Sequence, residues 1–185
     1  MEIKGLPLPG LFMIIPHTHR DKRGYFFESF RGDMMTKYDL PSSFIQDNQS
    51  KSDRGTLRGL HYQLKYPQGK LVRVSLGKVY DVAVDIRRGS PTFGHHLGTI
   101  LSDEGHMMMF IPEGFAHGFS VLSDTAIFQY KCTNIQHQED EYGLRWDDQE
   151  LNIDWKITNP ILSQKDSSLP FLKNIKDEHL PVYES

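Results

Sequence analysis

The residues with the clearest chemical potential lie between Gly55 and Val74, where GTLRGLHYQLKYPQGKLVRV sets one His, two Arg and two Lys among strand-forming residues. His61 carries the side chain whose ordinary pKa lies nearest neutrality, so it is a candidate general base. Arg58 and Lys70 would add positive charge beside it and favour a substrate bearing negative charge. In an unbroken strand Arg58 and His61 point to opposite faces. Gly59 between them offers a bulge that brings both to one face. The same pattern also fits an edge strand whose charges stay in water.

Other candidates are scattered along the chain. His117 stands in PEGFAHGFSVL, an apolar entrance to a strand, and an inward histidine there needs a partner. Asp81, on the polar parity of KVYDVAVDIR, is a plausible one. In AIFQYKCT, residues Ala126, Phe128, Tyr130 and Cys132 share a face, so Tyr130 looks inward, where a phenol requires a hydrogen-bond partner and could donate a proton. Asp166 follows Ser163 by three residues in LSQKD, the spacing of a helix-capping box. His17 and His19 form an HxH pair that a strand would place on one face, but a third nitrogen ligand and a carboxylate at suitable spacing are not evident. No bound metal is expected.

These side chains must be held by many short strands. Leu57 to Gln63 and Lys70 to Ser75 read as strands joined by a Pro-Gln-Gly turn. LFMIIPHTHRDKRGYFFESFR reads as two strands around Asp-Lys-Arg-Gly, followed by a short helix over Met34 to Tyr38 capped by Asp33. Further strands are expected over Phe44 to Ser50, Lys78 to Arg87, Leu97 to Leu101, Met107 to Pro112, Gly118 to Leu122 and Ala126 to Thr133. Tyr80, Val82, Val84 and Ile86 make a packing face of the Lys78 to Arg87 strand. His95 and His96 fall in a turn and read as exposed, and a helix near Gln164 to Asn174 is interrupted by Pro170. Strands about every ten residues with Gly, Pro and Asp turns predict a mainly β chain, a sandwich or jelly-roll barrel with a few short peripheral helices.

The 185 residues suit one domain spanning 1–185, and 38% hydrophobic with 24% charged residues describes an ordinary globular chain. A net charge of −3 gives no global pull toward nucleic acid or an anionic membrane, so an anion site must be local. The one cysteine, Cys132, excludes an internal disulfide. With no apolar run of spanning length and no secretory pattern at the start, the chain reads as cytoplasmic. GxSxG, Walker, GxGxxG and CxxC motifs are absent, which removes the commonest hydrolase, nucleotide and dinucleotide readings.

Taken in order, RGYFFES, FIQDNQSKS, GTLRGLHYQ, QGKLVRV, VYDVAVDIRRGSPTFG, IPEGFAHGF, YKCT, LRWDD and LSQKD resemble the dTDP-4-dehydrorhamnose 3,5-epimerase family, collinearly from about Ile15 to Pro170. The resemblance implies a cupin-type jelly roll, active as a homodimer without metal or other cofactor, on a thymidine-diphospho-4-keto-6-deoxyglucose that leads to L-rhamnose. It implies His61 as base, Tyr130 as acid, Asp166 as the carboxylate paired with the base, and Lys70 beside the keto oxygen. Arg23, Glu28, Gln46, Asn48, Arg58, His117, Glu141 and Lys165 fall on positions that contact the nucleotide sugar or its phosphates, with Asp81 supporting His117.

One departure stands out. Where the family carries an aromatic pair after YKCT, this chain has Ile135, Gln136 and His137. The resemblance therefore leaves room for an epimerase of a single centre, C3 or C5, for a 3,4-ketoisomerase, or for an enzyme of a CDP- or heptose-nucleotide. A noncatalytic sugar-nucleotide-binding cupin and a metal-dependent cupin oxygenase built on His17 and His19 are the readings from other classes.

Overall fold

The computed structural model describes residues 1–183. In chain order the strands are β1 (Glu2–Gly5), β2 (Phe12–Ile15), β3 (His19–Asp21) and β4 (Gly24–Phe26), then helix α1 (Gly32–Thr36). There follow β5 (Gln46–Asp53), β6 (Leu57–Gln63), β7 (Lys70–Leu76), β8 (Lys78–Asp85), β9 (His96–Ser102), β10 (Met108–Ile111), β11 (Phe115–Val121), β12 (Thr125–Cys132), β13 (Glu141–Gly143) and helix α2 (Gln164–Ser167). A six-stranded sheet in the order β1-β2-β10-β7-β12-β5 faces a five-stranded sheet in the order β13-β6-β11-β8-β9, and among the described residues β3 and β4 pair only with each other. Every ladder between named strands is antiparallel, and the arrangement is the expected jelly roll.

Strand parity decides what each face buries, because neighbouring side chains alternate. Val72 and Val74 of β7, Val79 and Ala83 of β8, Phe115 and Phe119 of β11, and Ala126 and Phe128 of β12 fill the space between the sheets. The opposite parity of β6, β8 and β11 (Leu57, Leu60, Tyr62, Val82, Val84, Ala116) packs under Trp155, Leu172 and Leu180 of the C-terminal segment. On the outer side of the six-stranded sheet, Ile14, Leu71, Met108 and Phe110 pack with Met35 of α1. Burying each such large apolar side chain contributes about 1.5–3 kcal/mol.

The structure corrects several local expectations. Arg31, not Asp33, occupies the cap position of α1; Asp33 lies in the first turn, and Arg31 Nε donates to its Oδ1 at 2.8 Å. His96 belongs to β9 and is half-buried, not exposed in a turn. Past Pro170 the tail forms two 3-10 turns among the described residues, Leu172–Asn174 and Asp177–His179.

Candidate active site

The bulge in β6 sets up the site. His61 pairs with His117 of β11 and Arg58 with Phe119, so β6 spends one residue more than its partner between these points. The result reads directly from the cores: Leu57, Leu60 and Tyr62 all face outward, which turns Arg58, His61 and Gln63 to the interior side. Glycine is required at the kink. Gly59 has φ +110°, and a Cβ there would come within 2.6 Å of the Gly118 Cα and the His117 carbonyl oxygen.

Interior parity on the surrounding strands delivers the rest. Lys70 begins β7 on the face of Val72, and Tyr130 and Cys132 end β12 on the face of Phe128. Asn48 and Gln46 of β5 stand opposite Tyr130 and Cys132 in the ladder, while Glu141 of β13 stands opposite Gln63. One end of the barrel interior is thus apolar and the other polar. At the polar end a cavity of about 50 Å³ is lined by His61, Lys70, Tyr130, Glu141, Asn48 and Gln136 among others.

His61 lies between two carboxylates. Its Nε2 is 2.6 Å from Asp166 Oδ1, and its Nδ1 is 3.9 Å from Glu141 Oε1. An ionised carboxylate only accepts, so the shorter contact favours the tautomer in which Nε2–H donates to Asp166 and the lone pair lies on Nδ1. Asp166 is buried at the start of α2, where its backbone N–H donates to the Ser163 hydroxyl at 3.0 Å. Burial pushes the Asp166 carboxyl up, but the His61 bond and charge, with the Ser163 and Gly59 bonds, outweigh it and hold the group below the usual carboxylate range. Glu141 in turn pairs with Lys165 Nζ at 2.6 Å.

Lys70 and Tyr130 are the uncommitted groups: neither its ammonium nor the Tyr130 hydroxyl takes a side-chain hydrogen bond or ion pair among the described residues. Burial pulls the Lys70 ammonium below its ordinary range, against the opposing pull of Cys132, Glu141 and Asp81. Burial pushes the Tyr130 phenol up, helped by Cys132 and Glu141, so it keeps its proton at neutral pH. Behind them His117 Nε2 meets Asp81 Oδ2 at 2.9 Å, with both residues buried.

The comparisons with known proteins decide the family. The family model described as dTDP-4-dehydrorhamnose 3,5-epimerase matches residues 5–174. The chain belongs to the dTDP-4-dehydrorhamnose 3,5-epimerase family. The family member of Pseudomonas aeruginosa is 51% identical over 168 residues, 90% of this chain and 93% of that one. The member from Methanothermobacter thermautotrophicus is 49% identical over 162 residues, 86% and 88% of the two chains. The crystal structure of the dTDP-6-deoxy-D-glucose-3,5-epimerase of Legionella pneumophila, in complex with dTDP-4-keto-L-rhamnose, superposes with a TM-score of 0.96 at 46% identity, covering 100% of this chain and 99% of that one.

Not every residue singled out in the sequence gathers at the cavity of this family member. Arg58 is exposed and its Nε donates to the Ser52 hydroxyl at 3.0 Å. Arg23 sits in the turn between β3 and β4, fully in water and paired with Asp21 at 2.6 Å. Glu28 lies beside Arg31 at 3.7 Å. Neither Arg23 nor Glu28 lines the cavity. His17 and His19 are exposed, their rings edge to face at 4.6 Å, and among the described residues no group of three or more His, Cys, Asp and Glu could hold a metal ion. Sequence reasoning missed the lining residues Gln68 and Gln136 and the Asn48 Nδ2 to Cys132 Sγ bond of 3.7 Å. The interior parity of FIQDNQS, shared by Gln46 and Asn48, was the available signal for the last of these.

Proposed function

We propose that the protein inverts C3 and C5 of dTDP-4-dehydro-6-deoxy-D-glucose to give dTDP-4-dehydro-L-rhamnose, with its own side chains supplying the acid and base. The observation that carries this reading is the 2.6 Å bond between His61 and Asp166 in a cavity wall that also presents Lys70 and Tyr130. A C4 ketone acidifies the hydrogens on both neighbouring carbons, so an enolate is accessible once its oxygen is stabilised. His61 Nδ1 takes the proton, and Asp166 stabilises the imidazolium that forms. Lys70 donates to the enolate oxygen, and its lowered basicity makes that proton easier to share. A contact of this kind is worth roughly 3–4 kcal/mol. Tyr130 returns a proton to the opposite face of the carbon, and one such acid contributes about 10²- to 10⁴-fold. Glu141, Lys165, Gln46, Asn48 and His117 hold the sugar nucleotide, and Arg58 offers paired donors to the diphosphate.

Incubation in deuterated water tests the reaction. Label at both C3 and C5 is expected; label at one carbon would replace this reading by a single-centre epimerase. His61→Ala should abolish exchange, whereas Tyr130→Phe should spare exchange at C3 more than inversion at C5.

We further propose that the active form is a homodimer in which one copy's β3–β4 hairpin reaches the other copy's site. Two features support it: Arg23 lies outside its own cavity, and the hairpin exposes 53% of Tyr25 and 67% of Phe26 while pairing with no further strand. Mixing inactive His61→Ala and Arg23→Ala proteins should restore activity through hybrid dimers; no recovery would sink the exchange. Cys132, buried and unbridged, accords with a reducing compartment, and we assign the enzyme to the cytoplasm. Among the described residues no helix is long and apolar enough to cross a membrane.

A further inference from the structure

Gln136 stands where the family resemblance called for an aromatic ring, and its surroundings give it a different task. Its backbone N–H donates to Gln46 Oε1 at 2.7 Å, and the neighbouring His137 N–H donates to Gln63 Oε1 at 2.7 Å. Gln63 Nε2 also donates to the Ile135 carbonyl at 3.2 Å, so the loop carrying Gln136 is pinned to the strands that carry the site. The side chain lines the same cavity as His61, Lys70 and Tyr130.

The lining carboxamides differ in what they have left to offer. Asn48 spends its amide on Cys132 and its carbonyl on Gln46. Gln63 spends both ends on the two loops, and Gln68 gives its amide to the Asn134 carbonyl at 2.8 Å. Among the described residues the Gln136 side chain has only a 3.5 Å contact from Nε2 to Glu141 Oε2. It is a hydrogen-bonding group fixed in place by its backbone and left free at its tip.

Resting on the reaction proposed above, we propose that Gln136 is a specificity-determining residue that grips the C2 hydroxyl of the substrate sugar. The chemistry selects that hydroxyl. C3 and C5 change configuration and C4 is the ketone, so a contact kept throughout the reaction needs a hydroxyl on a carbon that does not react. In a 4-keto-6-deoxyhexose linked to its nucleotide through C1, only C2 carries one. An amide serves a hydroxyl where a ring would serve an apolar face.

The test compares wild type with Gln136→Met, similar in length but without hydrogen-bonding capacity, on the 4-keto sugar nucleotide and on its 2-deoxy analogue. The wild type is expected to lose about 10-fold in kcat/KM on the analogue, in the range of one neutral hydrogen bond. Gln136→Met should show a similar loss on the natural substrate, mainly in KM, and no more than about twofold further loss on the analogue. Because the side chain is exposed, the variant should keep the wild-type melting temperature. Losses that multiply, or an unchanged KM in the variant, overturn the assignment of Gln136 and leave the reaction intact. Absence of any deuterium exchange by wild type overturns the reaction and this inference together.

Discussion

Asp81 and Asp85 leave β8 on the same face, and both are completely buried. Asp85 is saturated. Arg87 donates to it from Nε at 2.9 Å, from Nη2 at 2.8 Å and from its backbone N–H at 3.1 Å, and the Ser90 and Thr92 hydroxyls add bonds of 2.6 Å and 2.7 Å. Among the described residues Asp81 receives one side-chain bond, from His117, and its Oδ1 has no partner. Burial pushes Asp85 up, yet its donors outweigh that and hold it below the usual carboxylate range. A saturated carboxylate locks a turn. A half-satisfied one keeps charge available to act on a neighbour, and Asp81 faces the polar end of the barrel, where Lys70 feels it. Two identical residues four positions apart on one strand thus separate a structural network from a chemical one.

The largest expected effect breaks the structural side. Asp85→Ala leaves the Arg87 guanidinium, 11% exposed and stacked 4.5 Å over the Phe115 ring, without its counter-charge. Urea denaturation should report a loss of about 3–5 kcal/mol, the cost of stripping one partner from a buried pair. The rate per folded molecule should stay near wild type. A fall in kcat without loss of stability would erase the distinction.

Asp166→Asn attacks the chemical side. It keeps the shape of the residue but removes the charge that stabilises the His61 imidazolium, and kcat should fall by about 10²-fold or more. Stability should change with pH in a defined direction. Asp166 is held below its unfolded value, so its contribution is present above about pH 4 and disappears as the pH falls through the depressed folded pKa. The unfolding free energies of wild type and variant should therefore converge on acidification. A gap independent of pH would mean that Asp166 does not carry that charge.

Asp81→Asn sharpens the comparison most directly. An amide can still accept from His117, and the unpaired Oδ1 gives the variant little to lose, so stability should stay within about 1 kcal/mol. The activity should drop by about 10-fold, because the charge that counters the burial of Lys70 is gone. A stability loss as large as that of Asp85→Ala would show that the two carboxylates are equivalent.

Strand positions and turn chemistry could be read from the chain because each rests on local pattern: alternation in KVYDVAVDIR, a glycine between Arg58 and His61, a serine three residues before Asp166. What could not be read depends on contacts made far away. Sequence does not say which side of a strand another sheet will cover, so the complete burial of both faces of β8 was not legible in its alternation. Gln136 looked like a missing ring, since the grips of Gln46 and Gln63 join segments about 75–90 residues apart. The location of Arg23 on a detached hairpin is likewise a property of packing, not of spacing.

The smallest effect concerns how Asp166 is presented. Ser163 caps α2 by accepting the Asp166 N–H at 3.0 Å, while the Asp166 carboxylate reaches across to His61. Helix α2 has only four residues, so the cap is a large part of what orders it. Ser163→Ala should cost about 1 kcal/mol or less of global stability. If the cap also aims the carboxylate, kcat should fall a few-fold and KM should hold, with the acid-side decline of activity moving to lower pH, because a loosened carboxylate stabilises the protonated base less. An unchanged pH profile would place the aiming of Asp166 with the Gly59 amide of the β6 bulge rather than with the helix start.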